Sequence, residues 1–190
     1  MLVPPGTYSV KLVGLGADQT QPVVVRKDPN SEGTEQDIAA QTKLMMQIRD
    51  DMATTAKAIN DAEFVRSQIL QLKARLGETE STKSIRSAAD ELDTKIIEIE
   101  SRLFNMTATG RGQDFLRTPS QMVEKLSHLA DVVSYADFRP ADSHLEMARK
   151  LNQEIGNFGE QLSGTLVRGV ANFNELLKSQ QLGAIAVPGR

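Results

Sequence analysis

The sequence predicts a mainly α protein: an antiparallel up-down-up-down four-helix bundle with two long helices, plus a small N-terminal β-hairpin. Four apolar stripes at helical spacing run through residues 34–181. The turns between them are short, which favours antiparallel neighbours. Near the N-terminus, apolar and polar residues alternate, as is typical of strands. We therefore expect a hairpin over 1–30, a helical bundle over 31–181 and an apolar C-terminal tail over 182–190.

Two short runs predict the hairpin. Tyr8, Val10 and Leu12 alternate with polar residues, and Val23 to Val25 form a β-branched run beyond a glycine-containing turn. An isolated hairpin is only marginally stable in water. We therefore expect this hairpin either to pack on the helices or to be the remnant of a larger sheet.

The first helix is predicted over residues 34–76. Thr34 is its candidate N-cap, and Glu35 and Asp37 suit the positive end of the helix dipole. The apolar stripe continues without a break to Leu76, and Gly77 is suited to the position after the last turn. At 1.5 Å per residue, such a helix is roughly 64 Å long.

The second stripe runs over residues 85–106, and its helix is expected to end near Thr107. The fourth helix is expected to hold Pro140 in its first turn and to carry its stripe to Leu177, which makes it about as long as the first. Gly and Pro keep the apolar tail out of a helix, so we expect the tail on a surface or in a groove.

The third helix is predicted to begin at Thr118-Pro119. Thr118 is the candidate N-cap, Pro119 suits the first helical position, and Gln121 completes a capping box.

Composition excludes several classes of function. The 190 residues carry a net charge of −3, which lacks the basic bias of a general nucleic-acid binder. The chain has no cysteine, which excludes disulfides, thiol catalysis and cysteine-ligated metal. No stretch approaches the roughly 20 apolar residues of a membrane span, and the first residues lack a targeting signal. We predict no enzyme activity for this chain, and no catalytic, cofactor-binding or metal-binding residues.

Several polar residues and glycines are candidate site residues, and for each of them we favour a structural interpretation. Glycines in the fourth helix suit tight helix crossing more than a ligand or hinge. The glycine-rich loop at 110–114 suits an inter-helix connection more than an anion site. The histidines lack the HExxH spacing, the glutamates stand two apart on a helix, and the serines lack a nucleophile elbow. These residues are Gly156, Gly159, Gly164, Gly169, His128, His144, Glu98, Glu100, Ser127 and Ser163.

Two further groups were considered. Asp28, Asp137 and Arg139 stand at chain corners, where they could tie the hairpin to the bundle. The methionines favour core filling over a partner-binding surface; they are Met45, Met46, Met52, Met106, Met122 and Met147.

Several segments resemble one protein family. Residues 4–12 (PPGTYSVKL) and 21–29 (QPVVVRKDP) resemble the closing strands of an Ig-like module in bacterial BNR-repeat, sortilin-like proteins, which are often labelled glycosyl hydrolases. The helical part and the tail resemble the C-terminal region of that family; the matching stretches are 41–49 (QTKLMMQIR), 131–140 (DVVSYADFRP), 173–177 (FNELL) and the end at Val187-Pro188.

The resemblance implies that this chain is the C-terminal part of a larger secreted or periplasmic protein built around a β-propeller. The hairpin would then be the remnant of an Ig-like sandwich. The Asp-box repeats of the propeller are absent from this sequence, as is tryptophan, so no catalytic residue of that part can be transferred. Whether the whole protein is a hydrolase is left open.

Three functions follow for testing. The first is a non-catalytic structural and interaction module, whose partner is the remainder of its own polypeptide, with no nucleic acid and no membrane span. The second is a self-associating coiled coil built on the first helix. The third is an accessory carbohydrate-binding module that stacks sugars on aromatic rings; the candidates are Tyr8, Tyr135, Phe64, Phe104, Phe115 and Phe138.

Overall fold

The computed structural model describes residues 3–14 and 16–189, and the side chains of Asp114 and Phe115 lie outside that description. The predicted mainly α class is confirmed: the chain is mainly helical, with four principal helices, two of them long, and a small N-terminal hairpin. The elements are β1 (Gly6–Leu12), β2 (Gln19–Val25), α1 (Glu35–Leu76), α2 (Lys83–Leu103), the single turn α3 (Asp114–Arg117), α4 (Met122–Ser134) and α5 (Asp142–Ser179).

The chain forms two compact units. The first comprises Met1–Arg49 and His128–Ala148, and the second comprises Asp50–Ser127 and Arg149–Arg190. Helices α1, α4 and α5 therefore contribute residues to both units. The division at residues 30 and 181 that the sequence suggests stays a prediction.

In the first unit, β1 and β2 pair antiparallel with Tyr8 opposite Val23. Buried apolar residues of α1 and α4 form the interior of this unit; they are Ile38, Leu44, Ile48, Leu129 and Val133. The side-chain amide of Gln41 joins the two helices by donating to the carbonyl oxygens of Val133, at 2.6 Å, and Ala136, at 2.5 Å.

Helix α1 begins with the predicted cap. The Thr34 hydroxyl oxygen accepts a hydrogen bond from the Asp37 N–H at 3.1 Å. In return, the Asp37 carboxylate accepts from the Thr34 hydroxyl at 2.6 Å and from the Thr34 N–H at 3.0 Å. These bonds, the hydroxyl first, hold the pKa of Asp37 below its usual value. The prediction of Thr34 as N-cap is confirmed.

In the second unit, α1, α2 and α5 share one apolar core, to which Ile185 also belongs. Arg66 and Lys73 of α1 meet Asp93 and Asp90 of α2, so these helices run antiparallel. Within this unit the two long helices run in the same direction, whereas the predicted up-down-up-down order would set the first and fourth helices antiparallel. Asp51 and Asn152 meet at one end, and side chains of both helices hold consecutive residues of the 182–188 segment at the other.

The predicted start of the third helix is wrong. Helix α4 begins at Met122, and the N–H of Gln121 donates to the Glu124 carboxylate at 2.9 Å, so the capping box lies three residues later than predicted. The hydroxyl of Thr118 instead accepts a hydrogen bond from the side-chain amide of Asn105. This contact leaves Thr118 in the connection that leads to the helix.

Two other predicted helix ends shift by a few residues. Helix α2 ends at Leu103 because Phe104 is extended, with φ −148° and ψ 162°. Helix α5 begins at Asp142, where the carbonyl oxygen of Ala141 accepts from the N–H groups of His144 and Leu145. Pro140 therefore precedes the helix and is not in its first turn.

Candidate interaction surface

The hairpin carries aliphatic side chains that remain exposed to solvent. We call this set the hairpin surface; its members are Val10, Leu12, Val13, Val23 and Val24. Leu12 is 64% exposed and Val24 is 61% exposed. Directly opposed residues of an antiparallel pair share a face. Leu12 is therefore on the face of Tyr8 and Val23, whereas Val24, opposite Thr7, is on the other face.

The edges of the hairpin are open within the described residues 3–14 and 16–189, where β1 and β2 form a two-stranded sheet. The outer edge of a strand presents backbone N–H and C=O groups that can pair with a further strand. Pro22 removes one donor from β2, whereas β1 contains no proline. The edge of β1 therefore offers the longer uninterrupted ladder.

The base of the hairpin is held by local hydrogen bonds in the first unit. The Tyr8 hydroxyl donates to the carbonyl oxygen of Pro4 at 2.7 Å. After β2, the Asp28 carboxylate accepts from the N–H of Asn30 at 2.8 Å, and the ammonium group of Lys27 donates to the carbonyl oxygens of Asp28 and Ser31. This arrangement fixes the turn that leads from the hairpin toward α1.

A close backbone contact follows that turn. Gly33 is buried, and a Cβ at this position would lie 1.5 Å from the carbonyl oxygen of Asp137. Of the three corner residues considered from sequence, Asp137 thus meets the post-hairpin segment through its backbone. The Asp28 carboxylate accepts a hydrogen bond within its own turn, and the charge of Arg139 contributes to the lowered pKa of Asp37. In the sequence, Gly33 stands directly before Thr34, the N-cap of α1, and this position is the signal that could have pointed to a close backbone contact.

A groove of about 540 Å³ lies beside the hairpin base in the first unit. Its walls come from the hairpin ends and from α1 and the end of α4; they include Val25, Lys27, Asp28, Gln41, Met45 and Asp137. The groove combines apolar and charged groups, but no single side chain there is both buried and unpartnered among the described residues.

Charged side chains cluster between α1 and α2 in the second unit. We call Glu63, Arg66, Asp93 and Glu100 the Arg66 cluster; Glu100 is buried, whereas Glu63 is exposed. The Arg66 guanidinium donates to Glu63 at 2.6 Å, to Asp93 at 2.8 Å and to Glu100 at 2.9 Å. Glu100 is 0% exposed, and its second oxygen, Oε1, has no hydrogen-bond partner in the described part of the chain.

Burial changes the proton affinity of this cluster. The pKa of Glu100 is raised to about 7, chiefly by burial and also by the neighbouring Glu63 carboxylate, while Arg66 opposes both effects. The pKa of Arg66 is raised: burial lowers it, but the hydrogen bond from Arg66 to Asp93 and the nearby carboxylates outweigh that effect. The cluster therefore takes up a proton near neutral pH inside a helix interface.

Sequence reasoning considered Glu100 only as a partner of Glu98 and did not find this cluster. A signal was present, because Glu100 occupies a position in the apolar stripe of α2 between Ile96 and Leu103. A charged residue at a core position needs a partner. That partner, Arg66, stands 34 positions earlier in the chain.

The glycines of α5 have different surroundings. A Cβ at Gly169 would lie 2.4 Å from Leu92 Cδ1, which confirms the helix-crossing interpretation at this position. At Gly156 and Gly159, a Cβ would meet nothing within 4 Å, so that interpretation is wrong for them. At Gly164, the nearest group is the guanidinium of Arg168, at 3.0 Å.

The remaining candidates do not converge in the described residues. His128 is exposed; His144 is half-buried, and its Nδ1 has no hydrogen-bond partner in the part that the structure covers. Glu98 and Ser163 are exposed and Ser127 is half-buried. Gly110 and Gly112 adopt left-handed backbone angles in the connection before α3. Among the described residues, no group of three His, Asp or Glu side chains could hold a metal ion.

The methionines and aromatic residues are divided between core and surface. Met122 is buried, whereas Met46 and Met147 are exposed, and Met45, Met52 and Met106 are half-buried. Tyr135 is 93% exposed and Phe138 is 55% exposed, both in the first unit. Phe64 is also exposed, and Tyr8 and Phe104 are half-buried. The side chain of Phe115 lies outside the described residues.

Comparison with family models, curated proteins and solved structures finds no match for this chain. The resemblance to BNR-repeat proteins therefore stays a prediction. Of the helices in the described residues, none has the length and apolar character needed to cross a bilayer.

Proposed function

We propose that this chain is a structural and interaction module of a larger extracytoplasmic protein of the BNR-repeat, sortilin-like class, and that it carries out no chemistry itself. The observation that carries the proposal is the hairpin surface. The remainder of the same polypeptide is the proposed partner, and a secreted or periplasmic location follows from the proposed class.

The exposed aliphatic residues supply the physical reason. Fully burying one Val or Leu side chain stabilises by about 1.5–3 kcal/mol. A hairpin gains independent stability when a third strand or a helix covers its apolar face. Strand addition at the edge of β1 would pair its open backbone groups, and a layer packed on the face that carries Leu12 and Val23 would bury both side chains.

Site-specific photocrosslinking in the producing cells tests this function. A benzoylphenylalanine at Val10, which is on the face of Leu12 and Val23, should crosslink to strands of the same polypeptide outside residues 1–190, as identified by mass spectrometry. Leu70, which is 51% exposed on α1, provides a matched control position. A yield at Val10 no higher than at Leu70, or adducts that contain only other molecules, would contradict the proposal.

A second candidate is carbohydrate binding, and the exposure of Tyr135 and Phe138 favours it. Exposed aromatic faces can stack on apolar faces of sugar rings. Titration with oligosaccharides at millimolar concentration, followed by NMR, should shift the resonances of both rings, and Tyr135→Ala should abolish the shifts. Phe64→Ala, in the other unit, is the control. Unchanged spectra would remove this candidate.

A further inference from the structure

The 182–188 segment lies extended against α1 and α5 in the second unit, and two side-chain amides hold its backbone. Asn174 of α5 accepts from the N–H of Ile185 and donates to the carbonyl oxygen of the same residue, both at 2.9 Å. Gln68 of α1 makes the same pair of bonds to Ala186, also at 2.9 Å each. Two neighbouring residues are therefore each bound at both of their backbone groups.

This pattern is a form of peptide recognition. A neighbouring strand would satisfy an extended backbone through its own N–H and C=O groups, and here primary amides take that role. Backbone bonds of this kind fit any extended peptide. Selectivity comes from Ile185, whose side chain is 8% exposed and belongs to the core, with Leu182 and Val187 packed beside it.

The link between α5 and the segment favours release. Gln181 has a φ of 59°, a left-handed conformation that is strained for a non-glycine residue. Gly183 and Ala184 are exposed, and a groove of about 560 Å³ continues beside the segment along Leu72 and Leu76. The segment can therefore leave while α1 and α5 keep their helical hydrogen bonds.

We propose that the surface between α1 and α5 at Gln68 and Asn174 is a binding site for an extended apolar peptide with isoleucine at its centre. Residues 182–188 are its intramolecular ligand, and a second peptide of the same chemistry displaces them. This site is separate from the hairpin surface, and its test does not depend on the function proposed above.

The test uses the full chain with Ile185→Asp, which weakens the internal ligand, and a labelled peptide of sequence QQLGAIAVPGR, which matches residues 180–190. The peptide should bind this variant at least tenfold more tightly than it binds the unmodified chain, where the internal segment competes at an effective concentration on the order of millimolar. The same peptide with aspartate in place of isoleucine should not bind. A folded variant that fails to bind the peptide at millimolar concentration overturns the proposal.

The side-chain amides that bind the segment provide a second test of the proposal. Adding Gln68→Ala to the Ile185→Asp chain should weaken peptide binding about tenfold, because one pair of backbone bonds is lost. Gln71→Ala is the matched control, since Gln71 lines the groove beside the segment on the same helix. Equal effects of the two substitutions would contradict backbone recognition by Gln68.

If the Ile185→Asp chain does not fold, hydrogen exchange in the unmodified chain tests whether the 182–188 segment can be released. In the unmodified chain, the amides of Ile185 and Ala186 should exchange together through a local opening that requires less free energy than the opening of Leu177 in α5. Exchange of all three only through global unfolding would show that the segment is a fixed part of the core and would overturn the proposal.

Discussion

Leu92 of α2 occupies the space that a side chain at Gly169 of α5 would need, because a Cβ there would lie 2.4 Å from Leu92 Cδ1. Both residues lie in the core region of the second unit, where Leu92 is 5% exposed. The glycine therefore sets how closely α2 and α5 approach each other.

Gly169→Ala should destabilise the chain by about 1 kcal/mol, because overpacking outweighs the gain in helix propensity. In a Leu92→Ala background, the same substitution should become neutral or stabilising, since the space is then free. Urea unfolding followed by circular dichroism measures both steps of this cycle. Gly156→Ala, with nothing within 4 Å of its Cβ, should stabilise the chain by up to about 1 kcal/mol; equal effects at both glycines would disprove the contact.

Gly33→Ala should destabilise the first unit by about 3 kcal/mol, because its Cβ would meet the backbone carbonyl of Asp137, which moves only with the chain. Both tyrosines of the chain, Tyr8 and Tyr135, lie in the first unit, so tyrosine fluorescence during urea unfolding reports this change. Gly6→Ala meets only ordinary contacts, at 3.4 Å from Tyr8, and should cost less than about 1 kcal/mol. An unchanged free energy of unfolding in Gly33→Ala would refute the close contact between Gly33 and the backbone of Asp137.

Glu100 should make the stability of the chain depend on pH. Its pKa is raised from an ordinary value of 4.5 to about 7. The folded state therefore binds the proton more tightly than the unfolded state, and this contribution is present below about pH 4.5 and lost as the pH rises through about 7. The full loss is on the order of 3 kcal/mol.

Glu100→Gln removes the titrating carboxyl group. The free energy of unfolding should therefore fall less between pH 5 and pH 8 than it does in the unmodified chain. The measurement is the free energy of unfolding of both chains across this range. Glu98→Gln, an exposed position on the same helix, should keep the dependence of the unmodified chain. Parallel curves for the unmodified chain and Glu100→Gln would show that the carboxyl does not titrate in this window.

Gln181→Gly should stabilise the chain by about 1 kcal/mol, because glycine adopts the left-handed conformation at φ 59° without steric cost. The N–H of Leu182 donates to the carbonyl oxygen of Leu177, and the N–H of Gln181 donates to that of Lys178, which forms a C-terminal helix cap that suits glycine at this position. Thermal unfolding measures the gain. Gln180→Gly is the control and should give no gain in stability. A loss of stability in Gln181→Gly would show that Gln181 is not strained in the helix cap.

The long helices could be predicted from the sequence because their signal is local. The stripe of α1 and the cap at Thr34 depend on residues three or four positions apart, which lie on one face of a helix. The start of α4 could not be predicted in the same way. Thr118 has the right chemistry for a cap, but its hydroxyl contacts Asn105, and a tertiary contact of this kind leaves no local pattern.

The candidate surfaces were predictable only in part. Alternation in β1 predicted the hairpin, and the apolar tail was expected on a surface or in a groove, where the 182–188 segment is found. The partners of Ile185 and Ala186 could not be predicted, because Gln68 stands 118 positions from Ala186. The surroundings of Gly33 and Glu100 could not be predicted either, because the residues that contact them are also distant in the sequence.

We propose that the hairpin surface serves docking more than folding, and the Leu12→Asp variant tests this proposal. Leu12 is exposed, so the free energy of unfolding should change by no more than about 0.5 kcal/mol. In the same variant, the crosslink from position 10 to the remainder of the polypeptide should fall at least tenfold. A chain that loses stability while the crosslink persists would contradict the claim.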